Sequence, residues 1–157
     1  VITEAGIHPN VAGLVYVSAI APDAGESSGQ QYEGFAPTPE FVIDVTDDGY
    51  GFLNRDAFHA GFAADLSAED AAFLADSQVP VAMSVFGEAV TNAAWRDKPS
   101  WAVIATEDKA FDQAMLQHMA SRIGAEITTV PGSHALFISQ AETVADVIAT
   151  AARNAQR

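Results

Sequence analysis

Two places in the chain carry residue types that do nucleophilic and acid–base chemistry. The first is Gly25-Glu26-Ser27-Ser28-Gly29, which satisfies the G-x-S-x-G pattern of serine nucleophiles. The second is a pair, Asp108 in Thr106-Glu107-Asp108 and His134 in Gly132-Ser133-His134. A carboxylate beside an imidazole fixes its tautomer and stabilises its protonated form, leaving the other ring nitrogen to activate a hydroxyl. Each reading has a plainer rival. The small polar residues of 25–29 also suit a flexible loop, Asp108 also suits the first turn of a helix, and a His after a strand is often an ordinary loop residue.

The elements around these residues discriminate between the readings. Val11 to Ala19 is rich in β-branched residues, with apolar side chains on both parities, which predicts a strand covered on both faces. Trp101 to Ala105 reads the same way, and Glu126 to Val130 is a weaker strand ended by Pro131 and Gly132. Phe111, Met115, Met119 and Ile123 recur at helical steps before Gly124, predicting a helix over 110–123. Val144, Val147, Ile148 and Ala151 predict a second amphipathic helix. From residue 101 onward the order is strand, helix, strand, helix, the alternation of an α/β fold with parallel strands and flanking helices.

In an open parallel sheet the carboxyl ends of the strands share the rim where ligands bind. Asp108 and His134 each stand just beyond a strand end, so they are predicted to meet there. Glu107 is the rival acid, but it would need the opposite side-chain direction. Ser27 fails its own context. A nucleophile elbow needs a strand running straight into the turn and a helix leaving at once, whereas Ile20 to Ala24 intervene before Gly25, and Gly34, Pro37 and Pro39 follow too soon.

Residues 23–95 read as an insertion, a mostly helical cap or lid, between core segments 1–22 and 96–157. Ser67-Ala68-Glu69-Asp70 is a capping-box-like start for a helix through about Ala75, and an apolar stretch follows at Val81 to Phe86. Phe52, Phe58, His59, Phe62, Phe73 and Trp95 are candidates to line a pocket, or equally to glue the cap to the sheet. His118 reads as a packed or surface residue. His8, His59, His118 and His134 are far apart and form no H-E-x-x-H arrangement, so no metal is assigned, and nothing calls for a cofactor.

Composition narrows the partners. At 157 residues one domain is the default, and 21 acidic against 7 basic residues give a formal charge of −14. Such a surface repels phosphate backbones and anionic headgroups, so nucleic acid and membrane are poor partners. The absence of Cys removes disulfides and thiolate chemistry. Val11 to Ala21 is too short to span a bilayer, and "VITEAG" is neither a signal peptide nor a usual start, and reads like a cut. A soluble protein is expected, its compartment open with the cytoplasm slightly favoured.

"VAGLVYVSAIAPDAGES", "KPSWAVIATEDKA" and "MLQHMASRIGAEITTVPGSHALFISQAETVADVI" closely resemble the C-terminal part of α/β-hydrolase-fold enzymes. The nearest branch is that of small single-domain esterases and hydroxynitrile-lyase-like hydrolases. The resemblance covers most of the chain and is strongest over 11–27 and 94–150. It implies the order Ser, acid, His, with Asp108 and His134 matching the acid and base. It also implies that residues 1–8 continue the helix leaving the nucleophile elbow, so that the Ser and the first half of the sheet lie upstream of Val1. The function implied is a hydrolase acting on an ester or related acyl bond of a small molecule through a Ser-His-Asp triad whose Ser-bearing half is missing from this chain. A lyase or cofactor-free oxygenase on the same scaffold stays open. So does a non-catalytic, truncated or split polypeptide that self-associates or packs against a complementing N-terminal half, because three parallel strands leave an unpaired edge.

Overall fold

A computed structural model describes residues 1–155. The chain begins with a helical turn, α1 (Ile2–Ala5), and strand β1 (Leu14–Val17). An insertion follows that carries β2 (Ile43–Val45), β3 (Tyr50–Leu53), α2 (Phe58–Phe62), α3 (Ala68–Asp76) and β4 (Val81–Ala82). The remaining elements are β5 (Ser100–Ala105), α4 (Gln113–Arg122), β6 (Glu126–Val130), α5 (Leu136–Ser139) and α6 (Ala141–Asn154).

The most apolar strand lies in the middle. Parallel strands run in the order β1-β5-β6, with Leu14 opposite Ser100 and Trp101 opposite Glu126. All six residues of β5 are buried, as expected of a strand covered on both faces. Its side chains divide with the two-residue period. Ala102 and Ile104 join Leu14, Tyr16 and Leu116 on the α4 side, while Val103 and Ala105 join Val130, Leu136 and Val144 on the α5–α6 side.

Local chemistry sets the boundaries. The nine-residue apolar run 11–19 yields a four-residue strand, because Ser18 leaves the sheet with φ 38° and its hydroxyl accepts the Ala105 N–H at 3.1 Å. The helix expected over 110–123 starts at Gln113, since Asp112 caps it by accepting the Met115 N–H. Phe111 therefore precedes the helix, and Gly124 follows it with φ 66°, the left-handed residue expected after a helix end. In α6, Val144 and Ala151 are buried, but Ile148 is 49% exposed, contrary to the apolar stripe. The reason is topological. Ile148 borders a groove of about 340 Å³, with Val11, Gly13, Val15, Ala151 and Ala155, along the edge of β1, which among the described residues pairs only with β5.

The insertion carries helices, as its sequence indicates, and adds strands that the sequence does not announce. It contains a three-stranded antiparallel sheet, β2-β3-β4, against which α2 and α3 gather. These strands are two to four residues long, too short for a two-residue alternation to stand out. The Val81–Phe86 stretch becomes β4 and a 3₁₀ turn. The helix read from Ser67 is present as α3, with the Ser67 Oγ accepting the Asp70 N–H at 3.1 Å. The apolar cluster of the cap, built on Phe58, Ala63, Ala71 and Ala75, also takes in Ala135 from the loop after β6. No described helix is long and apolar enough to cross a membrane.

Leu116, fully enclosed between α4 and the sheet, and Ile148, half open on the groove, make a contrasting pair. Urea denaturation of this chain is expected to show Leu116→Ala lowering the unfolding free energy by about 2–5 kcal/mol and Ile148→Ala by no more than about 0.5 kcal/mol. Equal losses would contradict the arrangement of α6.

Candidate active site

Backbone pairing continues past the ends of β5 and β6. Thr106 N–H donates to the Val130 carbonyl at 2.9 Å and Glu107 N–H to the Gly132 carbonyl at 3.1 Å, holding the two strand exits side by side. Thr106 and Glu107 are exposed in the turn after β5 and Asp108 is buried, so the turn directs the second of the two acids inward.

Asp108 has a fully buried side chain, and both of its oxygens are engaged. Oδ1 accepts the N–H groups of Ala110 and Phe111 at 2.8 and 2.9 Å. Oδ2 stands 2.8 Å from His134 Nδ1. A carboxylate only accepts, so Nδ1 carries the proton and donates it, leaving Nε2 as the basic nitrogen. Among the described residues Nε2 has no hydrogen-bond partner. Aromatic rings hold the imidazole, with Phe62 at 4.9 Å between centroids and Phe111 edge-on at 4.8 Å. The His134 side chain is 16% exposed, so it remains accessible beside these rings. Tyr32 packs edge-on against Phe111 at 5.7 Å. Burial, and then the charge of Asp108, push its phenol up to about 12, so it stays protonated at neutral pH and adds no second base.

The other candidates lie elsewhere. Ser27 is not in a flexible loop: it is 7% exposed, its N–H donates to Gln30 Oε1 at 2.8 Å, and its Oγ accepts the Gln30 N–H at 3.3 Å. No imidazole among the described residues bonds to it. Of the six pocket candidates only Phe62 reaches His134. Phe58 fills the cap core, and the His59 Nε2 donates to the Leu66 carbonyl at 3.0 Å. Phe52 borders a separate apolar groove with Ile43 and Met83. Phe73 is 71% exposed, and Trp95 Nε1 donates to the Pro22 carbonyl at 3.0 Å. His118 is a surface residue against Phe35. Among the described residues no group of three His, Asp or Glu side chains gathers as a metal site would require.

Sequence reasoning missed Phe111 and Tyr32 as neighbours of the pair. Phe111 was absorbed into the helical stripe, and the cap loop bearing Tyr32 has no pattern that fixes where it folds back. The Asp112 cap was the available signal for Phe111, because a helix starting there leaves residue 111 outside.

Comparison with known proteins bears on the family and the fold. The model of a family described as the alpha/beta hydrolase family matches residues 1–147. No curated protein matches the sequence. Among solved structures, a pyrethroid hydrolase from Sphingobium faniae JZ-2 superposes with a TM-score of 0.78 at 21% identity, over 99% of this chain and 68% of that one. A polyneuridine aldehyde esterase gives 0.74 at 17% identity, over 94% and 64%. An extracellular alpha/beta-hydrolase from a Paenibacillus species gives 0.65 at 17%, over 87% and 60%. At these identities the likeness is one of fold. Another pyrethroid hydrolase structure is covered over 66% of its length, so the chain spans about two thirds of such neighbours.

Replacing Asp108 strands two backbone donors and the imidazole N–H in a dry site. Asp108→Ala is therefore expected to lower the unfolding free energy of this chain by at least about 2 kcal/mol in urea, with Glu107→Ala close to neutral. An Asp108→Ala chain as stable as the parent would place the carboxylate outside this network.

Proposed function

The chain belongs to the alpha/beta hydrolase family, and from that premise we propose that it carries the acid and base of a Ser-His-Asp acyl-transfer site acting on an ester of a small, largely apolar molecule. The observation that supports this reading is the 2.8 Å contact between His134 Nδ1 and the fully buried Asp108 carboxylate at the rim of two parallel strands. In this reading Nε2 takes the proton of an attacking serine hydroxyl as its oxygen adds to the ester carbonyl. The imidazolium, stabilised by Asp108, then returns that proton to the departing alkoxide. Water repeats the two transfers to release the acid, and His134 ends as it began. Phe62 and Phe111 flank the ring with apolar surface, which favours an apolar acyl or alcohol group there.

The serine, in the same proposal, comes from polypeptide beyond these 157 residues, because Ser27 is enclosed in its own loop. The edge of β1 and the groove under Ile148 suit a further parallel strand and its flanking segment. That polypeptide is taken to be an upstream part of the same protein.

Turnover of p-nitrophenyl butyrate tests the reading. The 157-residue chain alone is expected to give none above background, with Ser27→Ala making no difference. In the product of the intact reading frame, Asp108→Asn is expected to lower kcat by about 10⁴-fold. Robust hydrolysis by the isolated chain, abolished by Ser27→Ala, would overturn the assignment of the nucleophile; full activity in Asp108→Asn would overturn the triad.

A further inference from the structure

The loop that carries His134 is held by a second carboxylate, one with no sequence pattern linking it to the base. Asp65 lies in the exposed segment between α2 and α3, yet its Oδ1 accepts the hydroxyl proton of Ser133, a residue 1% exposed. Ser133 Oγ in turn accepts the Ala135 N–H at 3.2 Å, and the same N–H donates to the Phe62 carbonyl at 3.0 Å. His134 sits between these two anchored residues, with the Phe62 ring against its own. Gly132 completes the arrangement with φ 149°, where an added Cβ would stand 2.8 Å from Asp65 Oδ2 and crowd the carboxylate. Burial opposes the charge of Asp65, but hydrogen bonds from the Ser133 and Ser139 hydroxyls and the Ser133 N–H outweigh it and hold the carboxyl below its ordinary range. At neutral pH Asp65 is therefore ionised, an acceptor only.

A ring tied at one nitrogen can still tilt about that bond. Asp108 fixes Nδ1, but the position of Nε2 depends also on the backbone of the loop and on the Phe62 ring. The loop is tied to the cap through Ser133 to Asp65 and through Ala135 to Phe62, which is itself a cap residue. We propose that Asp65 is a positioning residue for His134, fastening the cap to the base loop through Ser133 and so fixing where Nε2 stands relative to the reacting hydroxyl. This rests on the reading of His134 as the base. Displacement of a reacting group by about 1 Å costs on the order of 10²-fold in rate, so a latch of this kind matters for turnover even though it touches no substrate.

The test uses the product of the intact reading frame and two readouts, the low-field proton resonance of His134 Nδ1–H and the steady-state constants for p-nitrophenyl butyrate. Asp65→Ala is expected to shift or broaden the resonance and to lower kcat about 10- to 100-fold with KM little changed. Asp65→Asn, which keeps an acceptor oxygen, recovers part of both. Ser133→Ala reproduces the effect without altering the cap loop, and the double variant is no worse than either single one; if Asp65→Ala fails to fold, Ser133→Ala decides. A resonance and a kcat unchanged in a folded Asp65→Ala or Ser133→Ala protein would overturn the proposal. A resonance lost in Asp65→Ala while Asp108→Asn retains full hydrolysis would leave the latch standing and remove the triad instead.

Discussion

Asp108 divides its two oxygens between backbone and imidazole, and the geometry of the site depends on that division. Oδ1 is fastened by the amides of Ala110 and Phe111, which fixes the carboxylate to its own turn, and Oδ2 is left with one direction in which to accept. Because the side chain is wholly enclosed, water does not compete for either oxygen, and the hydrogen bond to His134 is stronger than the same contact on a surface. The same enclosure makes a half-formed arrangement costly, since a buried carboxylate without its donors bears the full desolvation penalty. The loop after β6, the rings of Phe62 and Phe111 and the start of the turn at Ala110 all have to agree with this one acceptor.

What the sequence made legible was the part governed by short-range rules. The doubly covered strand at 100–105, the helix ended by Gly124 and the placement of Asp108 and His134 beyond neighbouring strand ends all follow from patterning, capping and the parallel-sheet rim. The inward direction of Asp108 rather than Glu107 comes from the turn after β5, in which Thr106 and Glu107 are both exposed. The cap was less legible. Strands of two to four residues carry too little periodicity, and their pairing is a matter of long-range contact. Tyr32 reaches the site by tertiary folding of a segment rich in Gly, Pro and small polar residues and Asp65 from the link between α2 and α3, and no local rule links position 65 to position 133. Ile148 was misread for a related reason: helical periodicity identifies an apolar face but not how much of it the neighbouring sheet is wide enough to cover.

The apolar cluster on the α5–α6 side of the central sheet and the cluster in the cap meet at the loop after β6. Ala135 belongs to the cap cluster and Leu136, its neighbour, to the cluster beneath the sheet. His134 therefore emerges where two hydrophobic units are stapled together by consecutive residues, which restrains the backbone around it from both sides.

One feature of the chain order bears on how such a site forms and diversifies. Asp108, His134, β5, α4 and β6 all fall within the single unbroken run from Ser100 to His134, a strand–helix–strand unit with short connections, whereas β1 joins the sheet only across the whole cap insertion. Contacts close in sequence form early, and lengthening an already long connection adds little closure entropy, about 0.6 kcal/mol for each doubling. Asp108 and His134 can thus come together within a local unit, and the cap can vary in length at low entropic cost wherever it does not carry Phe62 and Asp65, the residues by which it reaches the loop after β6.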